Sequence, residues 1–430
     1  MALLFLLVAI VPADGAAGGE RSIYVSPAGN DAWSGLVPDP NRQQSDGPVA
    51  TLAKARDLVR VMKSAGGAGK GAVHVYLRGG DYFLAEPLFL TPIDSGTAES
   101  PVIWSAYENE GPVISGGRLL AGWTHTSADG RNVWTAKLPA DAPAMIRQLW
   151  LGGRRLSRCR WPKQGTLAVA GRSGSGGRDS WMQGVAEFRF HAGDVMAWPN
   201  VADGEAIVTT RWVESHLPIA SIDAAAHVIH FAKRSVFQVD ADDRFWIENI
   251  RETLSEPGEF YVDPRQRTIS LIAPPDIDPN KAPIVAPRLA NVVLLLGDPA
   301  AGKFIENVVF RGVSFSHTQW SFDSAVESPS ARSASGSGPW DPKPEPSQSG
   351  FSQAALGVPA AIWTAGARNC TFENCHIAHV GTYGIELSRG CQKNRIMHCT
   401  LTDLGAGGVK IGETTVRTGE NDLTVSNEVS

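Results

Sequence analysis

The chain has 430 residues, 43% of them hydrophobic, which is enough for two or three folded units with sizeable cores. Its formal net charge is −5, and no long basic run offers a surface for nucleic acid or an anionic membrane. The composition excludes those partners, and 13 Trp, 45 Gly and 28 Pro are typical of a β-rich chain with many turns.

The first 21 residues have the pattern of a signal peptide, which predicts a secreted or periplasmic protein. The apolar run from Leu3 to Val11 is too short to span a bilayer, and Ala13, Gly15 and Ala17 offer cleavage sites. No Lys or Arg precedes this run, so the true N-terminus stays open. After cleavage, we expect a monomer that is not attached to a membrane.

Residues 22–117 are predicted to hold one helix and the first strands of a repetitive fold. The apolar residues Leu52, Ala55, Leu58, Val59 and Met62 recur at helical spacing. We expect this helix to cap an open end of the strand stack, where unpaired backbone would otherwise invite edge-to-edge pairing.

Residues 118–288 have a different pattern, with longer strands joined by hairpin turns such as Asp263-Pro264-Arg265-Gln266. This segment is predicted to be an inserted β-sandwich-like domain. Its acidic cluster Asp240, Asp242 and Asp243 lacks the spacing of an EF-hand calcium loop, so we expect a solvated loop and no metal.

A 24-residue repeat organises residues 289–430. It aligns Phe372 with Ile396, Cys375 with Cys399, and Ile385 with Val409, and it places Trp363 at the Leu387 position. Short apolar runs at a fixed spacing of this length predict an all-β fold, a parallel β-helix in which each coil stacks on the last. The two cysteines are then expected to lie about 4.8 Å apart in one inward ladder. Free thiols are the preferred interpretation, and a disulfide is the alternative.

The glycines of LTDLGAGGVKIGE, residues 401–413, are predicted to be corner residues with positive φ. A phosphate-binding loop would need a helix after them, whereas VKIGE alternates like a strand. The Ser/Pro/Gly-rich segment 323–359 is expected to be an insertion that walls a groove. Trp340 within it is a candidate saccharide contact, with a plain mobile loop as the alternative.

The order of several motifs resembles that of exported right-handed β-helix glycoside hydrolases, most closely family 141 and more distantly family 120. The motifs are YVSPAGNDAWSG, GPVATLAKARDLVR, GGDYFLAEPLFLTPIDSGT, ENEGPVISGG, QLWLGGRRLSRCRWP, FSHTQWSF, HVGTYGIEL and DLGAGGVKIGE. The resemblance implies a right-handed β-helix with an inserted β-sandwich, and hydrolysis of plant-type polysaccharides by a pair of carboxylates. It does not fix the sugar, because fucosidase and xylan-directed activities both occur in such relatives.

Glycoside hydrolysis requires two carboxyl groups, about 5 to 5.5 Å apart for retention or about 6.5 to 9.5 Å for inversion. The 24-residue stacking places His379 over Asp403, Glu386 over Lys410 and Arg389 over Glu413, so that each acid faces a base. Asp403 precedes a corner and is the leading candidate for the acid or nucleophile. Its alternative role is to cap backbone amides.

Glu386 and Glu413 are the other candidate catalytic carboxylates. Glu386 alternates with inward-facing residues, so it is expected to point outward, and its alternative role is an exposed ion pair with Lys410. The candidate substrate-binding residues are His379, Lys410, Tyr383, His317 and Trp320. Because the sequence stops part-way through a coil, the second carboxylate is also expected as a residue beyond Ser430.

The sequence thus predicts a glycosidase that takes a polysaccharide or oligosaccharide substrate, such as pectin or xylan side chains, without a cofactor. One alternative is a polysaccharide lyase on the same fold, with Lys410 as the base and calcium neutralising a uronate. A non-catalytic carbohydrate-binding β-helix protein is the other alternative.

Overall fold

The computed structural model describes residues 21–64, 71–128, 131–172, 181–320, 348–351, 353, 355, 357–413 and 415–430. Three parallel sheets form the faces of a β-helix. Sheet A contains, in spatial order, Arg21–Val25, Val73–Leu77, Val102–Ala106, Val308–Arg311, Thr371–Glu373, Arg395–Met397 and Glu428–Val429. Sheet B contains Gly80–Phe83, Pro112–Ser115, Ser314–Thr318, His376–Val380 and Thr400–Leu404. Sheet C contains Leu88–Leu90, Val293–Leu296, Ala360–Ala365, Tyr383–Leu387 and Val409–Ile411.

The 24-residue register is confirmed on all three faces. Phe372 pairs with Ile396, Ile377 with Leu401, and Ile385 with Val409. One predicted position is wrong by one residue, because Trp363 pairs with Glu386 and not with Leu387. A short fourth ladder joins Ile305–Glu306 to Ala367–Arg368.

The interior of the coils is filled by stacked apolar side chains. The rings of Phe310 and Phe372 are nearly parallel, with centroids 5.6 Å apart, and Trp104 stacks on Phe310 from the preceding coil. Each such side chain contributes about 1.5–3 kcal/mol when it is fully buried. Cys375 and Cys399 lie on successive coils, and all five cysteines are free thiols, as preferred from the sequence.

The predicted positive φ is found at Gly412, at 95°, but not at most glycines of the last coils. Gly381, Gly384, Gly405, Gly407 and Gly408 are absent from the positions with positive φ. A Cβ on Gly405 would instead lie 2.4 Å from the Gly381 carbonyl carbon, and one on Gly384 would lie 2.7 Å from the Gly408 oxygen. Gly384 and Gly405 are required because the backbones of successive coils approach closely there, whereas Gly407 leaves room for the Tyr383 ring.

The predicted helix is present as Leu52–Ser64, and Leu52, Ala55 and Val59 are buried in the β-helix core. It contacts the first strand of sheet A and the first strand of sheet C. The capping role of this helix stays a prediction. Among the residues that the structure describes, no helix has the length and apolar character needed to cross a membrane.

In its described part, the inserted segment contains three sheets, two large apolar cores and two smaller apolar clusters. A four-stranded sheet of Arg154–Arg155, Trp150–Leu151, Ile284–Pro287 and Gly117–Leu120 shares one core with a five-stranded sheet. The five strands are Ser157–Arg158, Glu259–Asp263, Thr268–Ile272, Arg131–Lys137 and Thr124–Ala128. These two sheets share one core, and the β-sandwich-like domain stays a prediction.

The middle of the insertion closes into a ring around the second core. Six strands form the ring, namely Arg244–Glu248, Leu167–Arg172, Glu187–Phe190, Val228–Phe231, Val213–Asp223 and Glu205–Thr210, and Arg160–Trp161 is attached to it by pairing with Arg244–Glu248. The ring closes because Glu205–Thr210 also pairs with Arg244–Glu248. The predicted acidic loop is not simply solvated, since Asp240 accepts hydrogen bonds from Arg172 and Arg211.

Short 3₁₀ turns lie at Pro92–Asp94, Val201–Asp203, Arg251–Thr253, Pro299–Ala301 and Glu420–Asp422. Most of the Ser/Pro/Gly-rich segment, with Trp340, lies outside the described residues. Its returning end touches the inserted domain, because Gly350 bridges to Ser215 and Gln348 bridges to Arg234.

Candidate active site

Three residues on successive coils of sheet B share the left-handed backbone conformation. They are His317, His379 and Asp403, with φ of 61°, 58° and 48°. Each interrupts its strand: the ladder runs from the Ala378–Thr402 pair to the Val380–Leu404 pair and leaves out the residues between them. His and Asp tolerate this conformation better than most residues do, and strained positions of this kind cluster at functional sites.

Three side chains donate hydrogen bonds to the Asp403 carboxylate. Arg155 Nε lies 2.7 Å from Oδ1, while Trp150 Nε1 and His379 Nδ1 lie 3.1 Å and 2.8 Å from Oδ2. Arg155 also donates from Nη2 to the carbonyl oxygens of Asp403 and Val380. The predicted stacking of His379 over Asp403 is thus confirmed. None of these three donors is a backbone amide, so the contacts do not support the alternative role of Asp403 as a cap of backbone amides.

Asp403 is held in its ionised form. Burial on its own would raise the pKa of Asp403, but the hydrogen bonds from Arg155 and His379 and the Arg155 charge outweigh it and lower that pKa. An ionised carboxylate only accepts hydrogen bonds, so His379 Nδ1 carries the proton between them. In the neutral imidazole, the other ring nitrogen, His379 Nε2, is the proton acceptor.

A hairpin of the inserted domain delivers two of the three donors to Asp403. Trp150–Leu151 pairs with Arg154–Arg155 across a turn made by Gly152 and Gly153, both with positive φ. A Cβ on Gly153 would lie 3.6 Å from His379 Nε2. The site therefore forms where this turn meets sheet B, and a glycine keeps space open beside the free ring nitrogen.

His317 lies behind this network. Its Nδ1 is 2.9 Å from Ser115 Oγ, its ring stacks on His379 at 6.0 Å, and Trp150 contacts it edge-on. Burial, together with the neighbouring His379, lowers the pKa of His317 to about 3, against the smaller opposing effect of Asp403. His317 is therefore a neutral packing partner of the site across the physiological pH range.

Glu386 alternates with the core residues Ile385 and Leu387 and points outward as predicted, but the expected exposure is wrong. Glu386 is 2% exposed, and Lys410 Nζ lies 2.8 Å from its Oε2. Lys410 also donates to the Val358 carbonyl oxygen and lies over the Tyr383 ring, 4.8 Å from its centroid. Burial raises the pKa of Glu386, although Lys410 and Trp363 oppose this. The pair expected to be exposed is a buried ion pair, contacted by Val358 at the returning end of the Ser/Pro/Gly-rich segment.

The predicted pairing of Arg389 with Glu413 is also wrong. Arg389 bonds to Asp422 at 2.6 Å, and Glu413 bonds to Arg417 at 2.6 Å. The last coil is longer than the repeat, since Arg395 pairs with Glu428 at an offset of 33 residues and not 24. The 24-residue offset therefore fails for Arg389.

Tyr383 and Trp320 belong to a small apolar cluster and not to the Asp403 network. Trp320 and Phe351 have ring centroids 5.5 Å apart, and Val358 and Tyr383 pack in the same cluster. Their role in binding substrate stays a prediction. The residues that the sequence did not single out are Trp150, Gly153 and Arg155, although all three lie in the motif QLWLGGRRL.

Comparisons with known proteins bear on the fold. Residues 333–429 match the family described as the right handed beta helix region. A solved structure described as a glycoside hydrolase superposes with a TM-score of 0.68 at 21% identity, and the match covers 90% of this chain and 67% of that one. XylC in complex with xylose gives a TM-score of 0.43 at 14% identity over 95% of this chain and 52% of that one.

No curated protein sequence matches the chain. At 21% identity, the first structural likeness establishes the fold and not the activity. The chain is mostly β and contains a right-handed β-helix domain, which the family match locates in residues 333–429.

Proposed function

We propose that the protein is a glycoside hydrolase that cleaves a polysaccharide at the groove beside Asp403 and His379. The single observation that carries this proposal is the network in which Trp150, Arg155 and His379 all bond to the ionised Asp403. The name of the first structural neighbour agrees with this reaction class.

The Asp403–His379 pair would act as one proton-transfer unit. His379 Nε2 would take a proton from the attacking water as the water oxygen bonds to the anomeric carbon and the glycosidic C–O bond breaks, and the leaving oxygen would take a proton from solvent. Asp403 would stabilise the imidazolium until it returns its proton to solvent, as carboxylates do in other carboxylate–histidine pairs. Asp403 itself is a poor proton donor because its pKa is lowered. This argues against a general-acid role for Asp403 and for a role as base, nucleophile or stabiliser of positive charge.

Glu386 has the raised pKa expected of a general acid, but it is buried against Lys410 and Trp363. Glu413 is bonded to Arg417. Neither carboxylate is bonded to Asp403, His379 or Arg155 in the described part of the chain, so we assign both a structural role. Among the described residues, Lys410 bonds to Glu386 and Val358 and not to the Asp403 network, so we do not assign it the role of the base in a lyase.

One observation favours a polysaccharide lyase as the second candidate. The Asp403 network contains a guanidinium and an imidazole but no second carboxylate among the described residues. In a lyase, Arg155 would neutralise the uronate carboxylate and His379 Nε2 would remove the proton next to it. The C–O bond would then break without water and leave a C=C bond in the product.

The test is an activity screen of the purified chain against plant polysaccharides, with Asp403→Asn and His379→Gln as variants. A hydrolase produces new reducing ends without ultraviolet absorbance, whereas a lyase product absorbs in the ultraviolet. Loss of a proton-transfer group is expected to lower kcat by about 10²–10⁴-fold.

Asp276→Asn is the matched control, because Asp276 is exposed and also has a positive φ of 66°. Full activity of Asp403→Asn on every substrate that the parent cleaves would rule out the proposed site. Saccharide binding without any cleavage by the parent protein would favour the non-catalytic carbohydrate-binding alternative.

A further inference from the structure

A cavity of about 280 Å³ adjoins the Asp403 site and shares Arg155 with it. Five of its lining residues are basic, namely Arg154, Arg155, Arg158, Arg160 and Lys163, whereas Glu256 and Glu259 are acidic. This volume lies at the small end of ligand pockets, which suits one sugar unit better than a longer chain.

Three of the five cations already have carboxylate partners. Arg155 bonds to Asp403, and Lys163 bonds to Glu259 at 2.6 Å. The buried Arg158 lies 2.7 Å from Glu205, which also bonds to Arg147, and 3.2 Å from Glu248. These ion pairs fix the wall of the cavity and leave little charge for a ligand.

The other two cations are available. The exposed Arg154 guanidinium makes no hydrogen bond or ion pair with any other residue that the structure describes. Arg160 donates to the Gly165 carbonyl oxygen at 2.7 Å and lies over the Trp246 ring, but it has no carboxylate partner within the described ranges. Two guanidinium groups without a counter-ion therefore line one small cavity.

We propose that this cavity binds an acidic sugar unit of the substrate, through a carboxylate or sulfate group bound by Arg154 and Arg160. Guanidinium groups match the geometry of such anions, and charge-assisted hydrogen bonds are about twice as strong as neutral ones. Arg155 contacts Asp403 and also lines the cavity, so the acidic unit would lie next to the bond that is cleaved. The inference rests on the proposed function for its substrate class.

The test measures binding of glucuronate, glucose 6-sulfate, glucose and inorganic sulfate to the whole chain by calorimetry. We expect an acidic sugar to bind more tightly than glucose, with an affinity that falls as salt rises. The tighter of the two acidic sugars identifies the acidic group. Equal binding of glucose, or equally tight binding of inorganic sulfate, would overturn the proposal.

Arg154→Gln and the charge reversal Arg154→Glu are the informative variants, since Arg154 is exposed and its replacement leaves the core intact. Each is expected to weaken binding of the acidic sugar by about tenfold or more, without changing binding of glucose. Arg189→Gln is the matched control, an exposed arginine on another strand of the same inserted domain. Unchanged affinity in both Arg154 variants would refute the assignment.

Asp403→Asn separates this inference from the proposed function. It should abolish cleavage and retain binding of the acidic sugar. If the parent binds glucuronate but cleaves no polysaccharide, the proposed function fails and the cavity assignment survives. Cleavage of neutral and acidic polysaccharides with equal kcat/KM would refute the cavity assignment and leave the proposed function intact.

Discussion

His379 Nδ1 lies 2.8 Å from Asp403 Oδ2, although the two residues belong to successive coils and are 24 positions apart. Both adopt a left-handed backbone conformation in sheet B, so each coil presents one polar side chain at the same position of its strand. The β-helix therefore builds the pair by repetition. The inserted domain then adds a positive charge to this pair, because Arg155 bonds to Asp403.

Arg155→Met should move the acid limb of the pH–activity profile upward. Arg155 supplies a hydrogen bond and a positive charge that lower the pKa of Asp403, whereas burial raises it. Without Arg155 the effect of burial is opposed only by the hydrogen bonds from His379 and Trp150, so the limb is expected to shift to higher pH. The measurement is kcat/KM against pH.

Arg155→Lys is the control for that shift, because it keeps the charge and loses the paired hydrogen bonds. It should give a smaller shift than Arg155→Met. Superimposable acid limbs in the parent and Arg155→Met would mean that the ionisation of Asp403 does not control activity.

Gly153→Ala should impair turnover through His379, with Gly152→Ala as its matched control. Both glycines have positive φ, so each alanine is expected to cost about 1–2 kcal/mol of unfolding free energy. Only the new methyl group at position 153 lies near His379 Nε2, at 3.6 Å, whereas nothing lies within 4 Å of one at position 152.

We therefore expect kcat/KM to fall by about tenfold in Gly153→Ala and to stay close to that of the parent in Gly152→Ala. Thermal unfolding of both variants checks that the backbone costs are comparable. Equal activity of the two variants would show that His379 Nε2 does not take part in the reaction.

The sequence predicted what depends on the repeat. Pairs such as Phe372–Ile396 and His379–Asp403 follow from one offset, because stacked coils bring residues 24 apart into contact. The prediction failed where the last coil becomes longer, so Arg389 bonds to Asp422 at an offset of 33 residues. Periodicity locates a residue only while the period holds.

The residues contributed by the insertion could not be found in this way. Trp150 and Arg155 are 253 and 248 positions away from Asp403, and their own segment has no 24-residue period. Alternation likewise predicted an outward Glu386, but it cannot indicate that residues near Val358 return to cover the outer face. Such contacts depend on how an insertion docks, and no local pattern encodes that.

Removing one partner of the Glu386–Lys410 pair should destabilise the fold strongly. Glu386→Leu leaves the Lys410 ammonium without its carboxylate, and we expect a loss of about 3–5 kcal/mol in unfolding free energy. The double variant Glu386→Leu with Lys410→Met should recover most of this loss. Denaturant unfolding of the two single variants and the double variant gives the coupling energy.

Lys410→Met should show a pH dependence of known sign. The folded-state pKa of Glu386 is already raised by burial, and loss of Lys410 raises it further. The destabilisation should therefore be small below the ordinary Glu pKa of 4.5 and grow as pH rises through the folded-state pKa. A loss that is independent of pH would show that Glu386 is not ionised in the parent at neutral pH.

His317→Gln should make the protein less sensitive to acid. The pKa of His317 is lowered from 6.5 to about 3, so the unfolded chain binds a proton between those values that the folded chain does not. Stability from this group is complete above pH 6.5 and is lost as pH falls toward 3. Between pH 7 and pH 5, the parent should lose about 2 kcal/mol more than His317→Gln.

The comparison requires unfolding curves of both proteins at pH 7 and pH 5. The contribution of the carboxylates to the pH dependence is common to both proteins and cancels in the difference. His125→Gln is the control, since His125 is an exposed histidine bonded to Asn132 in the inserted domain. It should follow the parent. If His317→Gln loses as much stability on acidification as the parent does, then His317 is already protonated in the folded protein, and its neutral stacking on His379 is wrong.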